Sequence, residues 1–182
     1  FDNLSNKRNL CFVLNIAKIL RLNLKTVIKT ANNFKGLKYR QQIIHKSKKL
    51  LIINDSKSTS FSSTIPQLEN NQNIYWILGG LAKKGDKFKL KKKYFSNIKA
   101  YVYGKDKDYF TNLFKNKFFC KKSSTLKNLM KNLIKNINKD DTKKVILFSP
   151  SAASFDQFKN FEDRGKFFNN LVKILLKKLK YE

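Results

Sequence analysis

Three short strings carry residue types suited to holding a small anionic ligand, and each directly follows an apolar run. The first is Asn54-Asp55-Ser56-Lys57-Ser58-Thr59, after LLII at 50–53. Hydroxyls and backbone N–H groups at a strand-to-helix junction suit an anion, and they equally suit an ordinary helix cap. The second is Gly79-Gly80-Leu81-Ala82-Lys83, after IYWIL at 74–78. Paired glycines let the backbone turn sharply and approach a ligand closely. Lys83 then either aims a charge into that turn or is one surface lysine among many. The spacing is not that of a Walker P-loop, because GxxxxGK[ST] is absent. The third string runs from Ser149 to Phe158 (SPSAASFDQF), after VILF at 145–148, and continues to Gly165 as KNFEDRG. Its small residues make room for a ligand that the polar and aromatic ones could wall, or they form a tight strand-to-helix loop.

The apolar runs ahead of these strings read as strands. KLLII at 49–53, IYWIL at 74–78, IKAYVY at 98–103 and VILF at 145–148 are short and β-rich. A weaker strand is expected at 117–120 and an edge strand at 41–45. Amphipathic helices alternate with them. Leu126, Leu129, Met130, Leu133, Ile134 and Ile137 share one face of a helix over 124–138, opposite lysines. Phe168, Leu171, Val172, Leu175, Leu176 and Leu179 stripe a helix over 161–179. Two further helices are expected over 6–20 and 24–32, before Gly36 breaks the pattern. The alternation predicts an α/β fold, a mostly parallel Rossmann-like sheet with helices on both faces, preceded by a short helical tail. Ligands of such sheets gather at the carboxyl ends of the strands, where the three strings fall.

Composition narrows the function classes. The chain has 182 residues, 41% hydrophobic and 13% aromatic with sixteen Phe, enough for a real core. His45 is the sole histidine, and Cys11 and Cys120 stand far apart, so zinc-ligand spacing is absent and neither a zinc site nor a disulfide scaffold is expected. A reduced, cytoplasmic setting is expected. The net charge of +28 suggests nucleic acid at first. However, the arginines are only Arg8, Arg21, Arg40 and Arg164, and the lysines are spread along the whole chain. Phosphate and base readers lean on the bidentate Arg fork, so a solvated lysine surface is the better reading and no nucleic-acid partner is expected. No signal-peptide pattern opens the chain. Its densest apolar stretch, 74–82, is far short of the ~20 residues that span a bilayer. The basic last helix could lie on a membrane, but packing on its own sheet is favoured. The start at Phe1 suggests that something upstream has been cut away.

Together, in this order, the three strings resemble the C-terminal domain of the UDP-N-acetylmuramoyl-L-alanine:D-glutamate ligase family, one of the Mur ligases. There they read approximately NDSKATN, GGxxK and LSPACASFDQFKNFExRG. Upstream, Gly36-Leu37-Lys38-Tyr39-Arg40 resembles the family's GLPHR, and Ser5-Asn6-Lys7-Arg8-Asn9 its HNxxN. Ser5 and Tyr39 stand where the family has histidines, and Ser58 where it has alanine.

The resemblance implies an ATP-dependent ligase that joins D-glutamate to UDP-N-acetylmuramoyl-L-alanine through an acyl phosphate. Residues 1–36 would be the tail of the central ATP-binding domain, and 37–182 the amino-acid-binding domain. Thr59 and Lys83 would hold the side-chain carboxylate of D-glutamate. Ser154 and the backbone around Phe155 and Phe161 would hold its α-carboxylate. Asn6 and Asn9 would lie near adenine, Arg40 near the phosphates or ribose, and Asp55 near the ribose. ATP and Mg²⁺ would be bound mainly by the central domain. No catalytic residue is assigned within these 182 residues. The chain is expected to be monomeric and, alone, inactive. Lys57 receives no contact, and Arg164 is expected to form a structural salt bridge at the start of the last helix.

Overall fold

The structure, a computed structural model, describes residues 4–137 and 142–179, with side chains for 7–137 and 142–177. Position 138, the end of one expected helix, lies outside them. The chain divides into two units, Phe1–Leu37 and Lys38–Glu182.

The first unit is a pair of helices, α1 (Leu4–Ile19) and α2 (Leu24–Asn33). The Asn23 side chain caps α2 by accepting from the Thr26 amide at 3.2 Å. This satisfies one of the N–H groups a helix start leaves without a partner.

The second unit is built on a six-stranded sheet. In chain order its elements are β1 (Gln42–Lys46), β2 (Leu50–Asn54), α3 (Phe61–Asn70), β3 (Ile74–Gly79), β4 (Leu81–Ala82), β5 (Ile98–Tyr103), α4 (Lys107–Phe114), β6 (Phe119–Lys122), α5 (Leu126–Asn136), β7 (Lys144–Phe148), β8 (Ala152–Ala153) and α6 (Phe161–Leu179). A 3-10 turn covers Lys92–Asn97. The spatial order is β1-β2-β7-β3-β5-β6. All neighbours are parallel except the edge strand β1, which runs antiparallel to β2. A separate two-stranded ribbon pairs β4 with β8.

The side-chain period of two sorts the core into two layers. Leu50, Ile52, Tyr75, Ile77, Ile146 and Phe148 face α5 and α6, meeting Leu129, Leu133, Phe168 and Val172. Ile53, Trp76, Leu78, Val102 and Leu147 face the other way, against Phe61 and Leu68 of α3 and Phe110 and Phe114 of α4. Much of the phenylalanine excess resides in this second layer. The Phe61 ring meets Phe88, Phe110 and Phe114 edge-on at 5.3, 6.0 and 5.8 Å. Such contacts add ~0.5–1.5 kcal/mol each beyond burial. Both cysteines are free thiols. Among the described residues, no helix is long and apolar enough to cross a membrane.

Candidate functional site

The order of the strands positions the site. β7 enters the sheet between β2 and β3, so the third string leaves its strand with the first string on one side and the second on the other. Three segments distant in sequence therefore meet at adjacent carboxyl ends. Backbone hydrogen bonds lock the junction. The Asp55 amide donates to the Phe148 carbonyl at 2.7 Å, the Gly79 amide to Pro150 at 3.0 Å, and the Ser151 amide to Ser58 at 3.0 Å. In the ribbon, Leu81 faces Ala153 and Ala82 faces Ala152. Ser151 is thus bonded to the residue before Thr59, while its neighbour Ala152 pairs with the residue before Lys83.

The glycines make this approach possible. Gly79 and Gly80 have φ of +132° and +129°, and a Cβ on either would overlap the carbonyl of Tyr103 or Ala153. Lys83 follows β4 on an exposed turn that ends at Asp86. The Asp86 carboxylate accepts from the Phe61 amide, the first N–H of α3, at 2.7 Å. Ser60, the N-cap by sequence position, makes no side-chain cap bond, and Asp86, three residues past the second string, takes that role. The Lys83 turn and the Thr59 segment are joined by this bond. Thr59 and Lys83 are exposed, while Ser154 is buried just past β8. None of the three side chains is engaged in a hydrogen bond or ion pair among the described residues.

Arg164 clamps the first string to the third. Its guanidinium is fully buried and donates through Nε to Ser56 Oγ at 3.1 Å, and through its two terminal nitrogens to the carbonyls of Ser56 at 2.7 Å and Ala152 at 3.0 Å. The expected salt bridge is not what holds it. Carbonyl oxygens satisfy the planar fork, and Asp156 acts on it only as a nearby charge. Ser56 Oγ also donates to the Phe161 carbonyl at 2.8 Å, tying the start of α6 to the same point. Phe161 is half-buried, and Lys57 Nζ sits 4.1 Å above its ring centroid, a cation–π contact. Phe155 is 71% exposed.

Asp55 is the buried acid of the site. Its carboxylate accepts from the Gln41 amide at 3.1 Å and from Ser149 Oγ at 3.2 Å. Burial pushes its pKa from 3.8 up to about 6, against the opposing pull of those two hydrogen bonds and the Arg40 charge. Arg40 itself is exposed, between two residues with left-handed backbone, Tyr39 (φ 61°) and Gln41 (φ 48°). Left-handed non-glycine residues are strained and persist where surroundings impose them. Here the Tyr39 carbonyl accepts from the Lys57 amide, the Tyr39 ring packs on Gly165, and the Gln41 amide is held by Asp55. Neither this strain nor the Asp86 cap has a sequence signature.

Asn9 is exposed on α1, and the Asn6 side chain lies outside those described. Both asparagines belong to the first unit, and Arg40 and Asp55 to the second. Among the described residues, no cluster of three or more His, Cys, Asp or Glu could hold a metal ion.

No family model matches the chain. Curated proteins do. It is 34% identical over 164 residues to a UDP-N-acetylmuramoylalanine–D-glutamate ligase of Wolbachia from Brugia malayi, covering 90% of this chain and 33% of that protein. It is 38% identical over 171 residues to the Francisella tularensis protein of the same name, covering 92% and 40%. The chain thus spans between a third and two-fifths of the length of these relatives. Among solved structures, it superposes on the UDP-N-acetylmuramate-alanine ligase MurC of Thermotoga maritima with a TM-score of 0.65 at 14% identity, covering 95% of this chain and 39% of that one. MurF ligase of the same organism, solved with ADP, gives 0.57 at 14% identity, with 88% and 36% covered. At that identity the superpositions speak for the fold alone. Over nine-tenths of its length the chain is homologous to part of the UDP-N-acetylmuramoylalanine–D-glutamate ligases, and it has the fold of the corresponding share of other Mur ligases.

Proposed function

We propose that this chain is the amino-acid-delivering part of an ATP-dependent ligase that adds D-glutamate to UDP-N-acetylmuramoyl-L-alanine in peptidoglycan synthesis. Residues 38–182 are the amino-acid-binding domain in this reading, and the helical pair is the tail of a central ATP-binding domain. The observation that carries the reading is the meeting of Thr59, Lys83 and Ser154 around the Ser151–Ala153 segment, at the ends of β2, β3 and β7.

D-Glutamate has two carboxylates and must present a free amine. Lys83 and Thr59 supply one cation and one neutral donor for its side-chain carboxylate. Ser154, with the backbone at Phe155 and Phe161, supplies neutral donors for the α-carboxylate. Nothing basic is assigned to the amine, which is left to attack the acyl phosphate formed from the alanine carboxylate and the γ-phosphoryl group of ATP. The new amide forms as phosphate leaves, and the domain's contribution is to hold the nucleophile in line. Arg40 and Asp55 are assigned to the phosphates and ribose of the nucleotide, and Asn6 and Asn9 to its adenine. Mg²⁺ is assigned, with ATP, mainly to the central domain. The chain alone is expected to release no ADP in response to D-glutamate.

The test is Lys83→Ala in the intact protein. Loss of one charge-assisted contact, worth ~1.5–3 kcal/mol, should raise the KM for D-glutamate about 10- to 100-fold while the KM for ATP stays near its starting value. D-Glutamate-dependent ADP release that is unaltered by the substitution would refute the pocket.

A further inference from the structure

Beneath the site lies a cluster of hydroxyls that none of the assigned roles uses. Thr64, in the second turn of α3, is fully buried, and its Oγ1 lies 2.6 Å from Ser58 Oγ, 2.8 Å from Ser149 Oγ and 2.7 Å from Ser151 Oγ. One hydroxyl thereby touches both the first and the third string. Ser149 reaches on to Asp55 Oδ2, and Ser58 reaches out to Ser63 Oγ at 2.8 Å.

A hydroxyl has one proton to donate and two lone pairs, so an ionised Asp55 dictates the order of the whole cluster. A carboxylate only accepts, and Ser149 must therefore give its proton to Asp55. Thr64 must then donate to Ser149. Having spent its proton, Thr64 accepts from both Ser58 and Ser151. The order ends at Ser58, because Ser63 has the Ser60 carbonyl as an acceptor at 2.8 Å, as near as Ser58 Oγ. For Thr64, Ser151 and Ser58 the competing carbonyl acceptors stand farther off, at 3.4 Å for Thr64 to Ser60, 3.4 Å for Ser151 to Ser149 and 3.5 Å for Ser58 to Ser60. Those contacts are at the weak limit of hydrogen bonding. The hydroxyl-to-hydroxyl contacts decide the order from Ser58 and Ser151 inward, and the protons of Ser58, Ser151, Thr64 and Ser149 point toward Asp55. A protonated Asp55 donates to Ser149 instead and removes that constraint. Arg40 is the charged side chain that acts on Asp55, and it favours the ionised form.

We infer that Thr64 is a positioning residue, whose hydroxyl couples the Asp55 carboxylate to the two segments that present Thr59 and Ser154. This lies outside the three strings and outside every role assigned above, and its kinetic consequence rests on the ligase reading.

The coupling itself can be read without that reading, by following backbone amide shifts of the 182-residue chain from about pH 4 to about pH 8, the span around a raised carboxylate. In the native chain the amides of Gln41 and Ser151 should share one midpoint, about 6. In Thr64→Val, Gln41 should keep that midpoint while Ser151 ceases to follow it, and Thr64→Ser should restore it. Should Thr64→Val fail to fold, Ser149→Ala cuts the same path one link nearer Asp55 and should give the same separation. Ser151 titrating as before in a folded variant overturns the inference. In the intact enzyme, Thr64→Val should raise the KM for D-glutamate about tenfold with kcat altered less, and Thr64→Ser should stay within about twofold of wild type. An unchanged KM in Thr64→Val alongside a raised one in Lys83→Ala sinks the positioning role and leaves the ligase reading intact. A wild-type enzyme indifferent to D-glutamate sinks the ligase reading, and the titration still decides the coupling.

Discussion

Asp55 is held in a place that does not favour its charge. Burial raises its pKa to about 6, so the folded chain binds this proton more tightly than the unfolded chain does. Between the unfolded value of 3.8 and about 6, the native state carries the extra proton, and stability falls as pH rises through that window. Above it, the ionised carboxylate costs up to about 3 kcal/mol, from roughly two pKa units. Asparagine mimics the protonated acid. Asp55→Asn should therefore unfold at a higher temperature than wild type at pH 8, and the gain should vanish toward pH 4. A thermal melt series in which the variant is equally destabilised at both pH values would contradict the assigned burial cost. A stabilising loss of a carboxylate is what a residue kept for ligand contact predicts. Among single residues, Thr59, Lys83, Ser154 and Asp55 were legible as candidates because they sit in polar strings that follow apolar runs and because those strings together resemble a known family. Thr64 and Asp86 were not. Each is an ordinary polar residue until the fold brings a distant partner to it.

The β4–β8 ribbon carries more of the site than its two residues per strand suggest, since it extends the Gly79–Pro150 contact and lays the residues before Lys83 along the third string. Gly80 is where it can be broken. Its φ of +129° is strained for any other residue, and an added Cβ would overlap the Ala153 carbonyl, a backbone atom that cannot swing aside. Gly80→Ala should part the ribbon. It should raise the KM for D-glutamate in the intact enzyme and cost about 1–3 kcal/mol of stability, whereas Gly85→Ala, which also meets left-handed backbone strain at φ +76° but has open space around its Cβ, should cost stability and spare the KM. Equal kinetic effects from the two would show that the ribbon does not position the pocket. The ribbon was invisible in LA and AA, which have no strand length to signal. The same limit left α3 expected only as the helix entered after the first string, with no range of its own. Its sequence FSSTIPQLEN has three large apolar residues, three hydroxyls and Pro66, a loop by local propensity. Packing of Phe61 and Leu68 on the sheet overrides that propensity. The sheet strands and α5 and α6 were legible because each is long enough for its apolar period to repeat. The edge strand β1 appears one residue later than expected, with a bulge between Ile43 and His45.

Across the whole molecule, 40 basic residues face 12 acidic ones. Many of the acids are already committed to internal work, such as Asp86 on the start of α3, Asp106 on the Ala82 amide and Asp156 on the Lys105 amide. The ion pairs at Asp108, with Lys122 at 2.6 Å and Lys107 at 3.9 Å, are exposed, and exposed pairs contribute ~0–1 kcal/mol. Most lysines therefore act on one another. A surface of like charge stays soluble but opposes its own compaction. Salt separates this picture from one in which ion-pair networks hold the fold. The screening length falls from ~10 Å at 0.1 M to ~3 Å at 1 M, which weakens attraction and repulsion alike. If repulsion dominates, the melting temperature of the chain should rise as sodium chloride goes from about 0.05 M to about 0.5 M. Relief of ~1 kcal/mol corresponds to roughly 2–4 °C for a chain of this size. Potassium chloride should act like sodium chloride, because screening depends on ionic strength rather than on a bound ion. A melting temperature that falls with salt would mean that the lysines are paired, and the excess charge would then need a structural role that its even spread does not suggest.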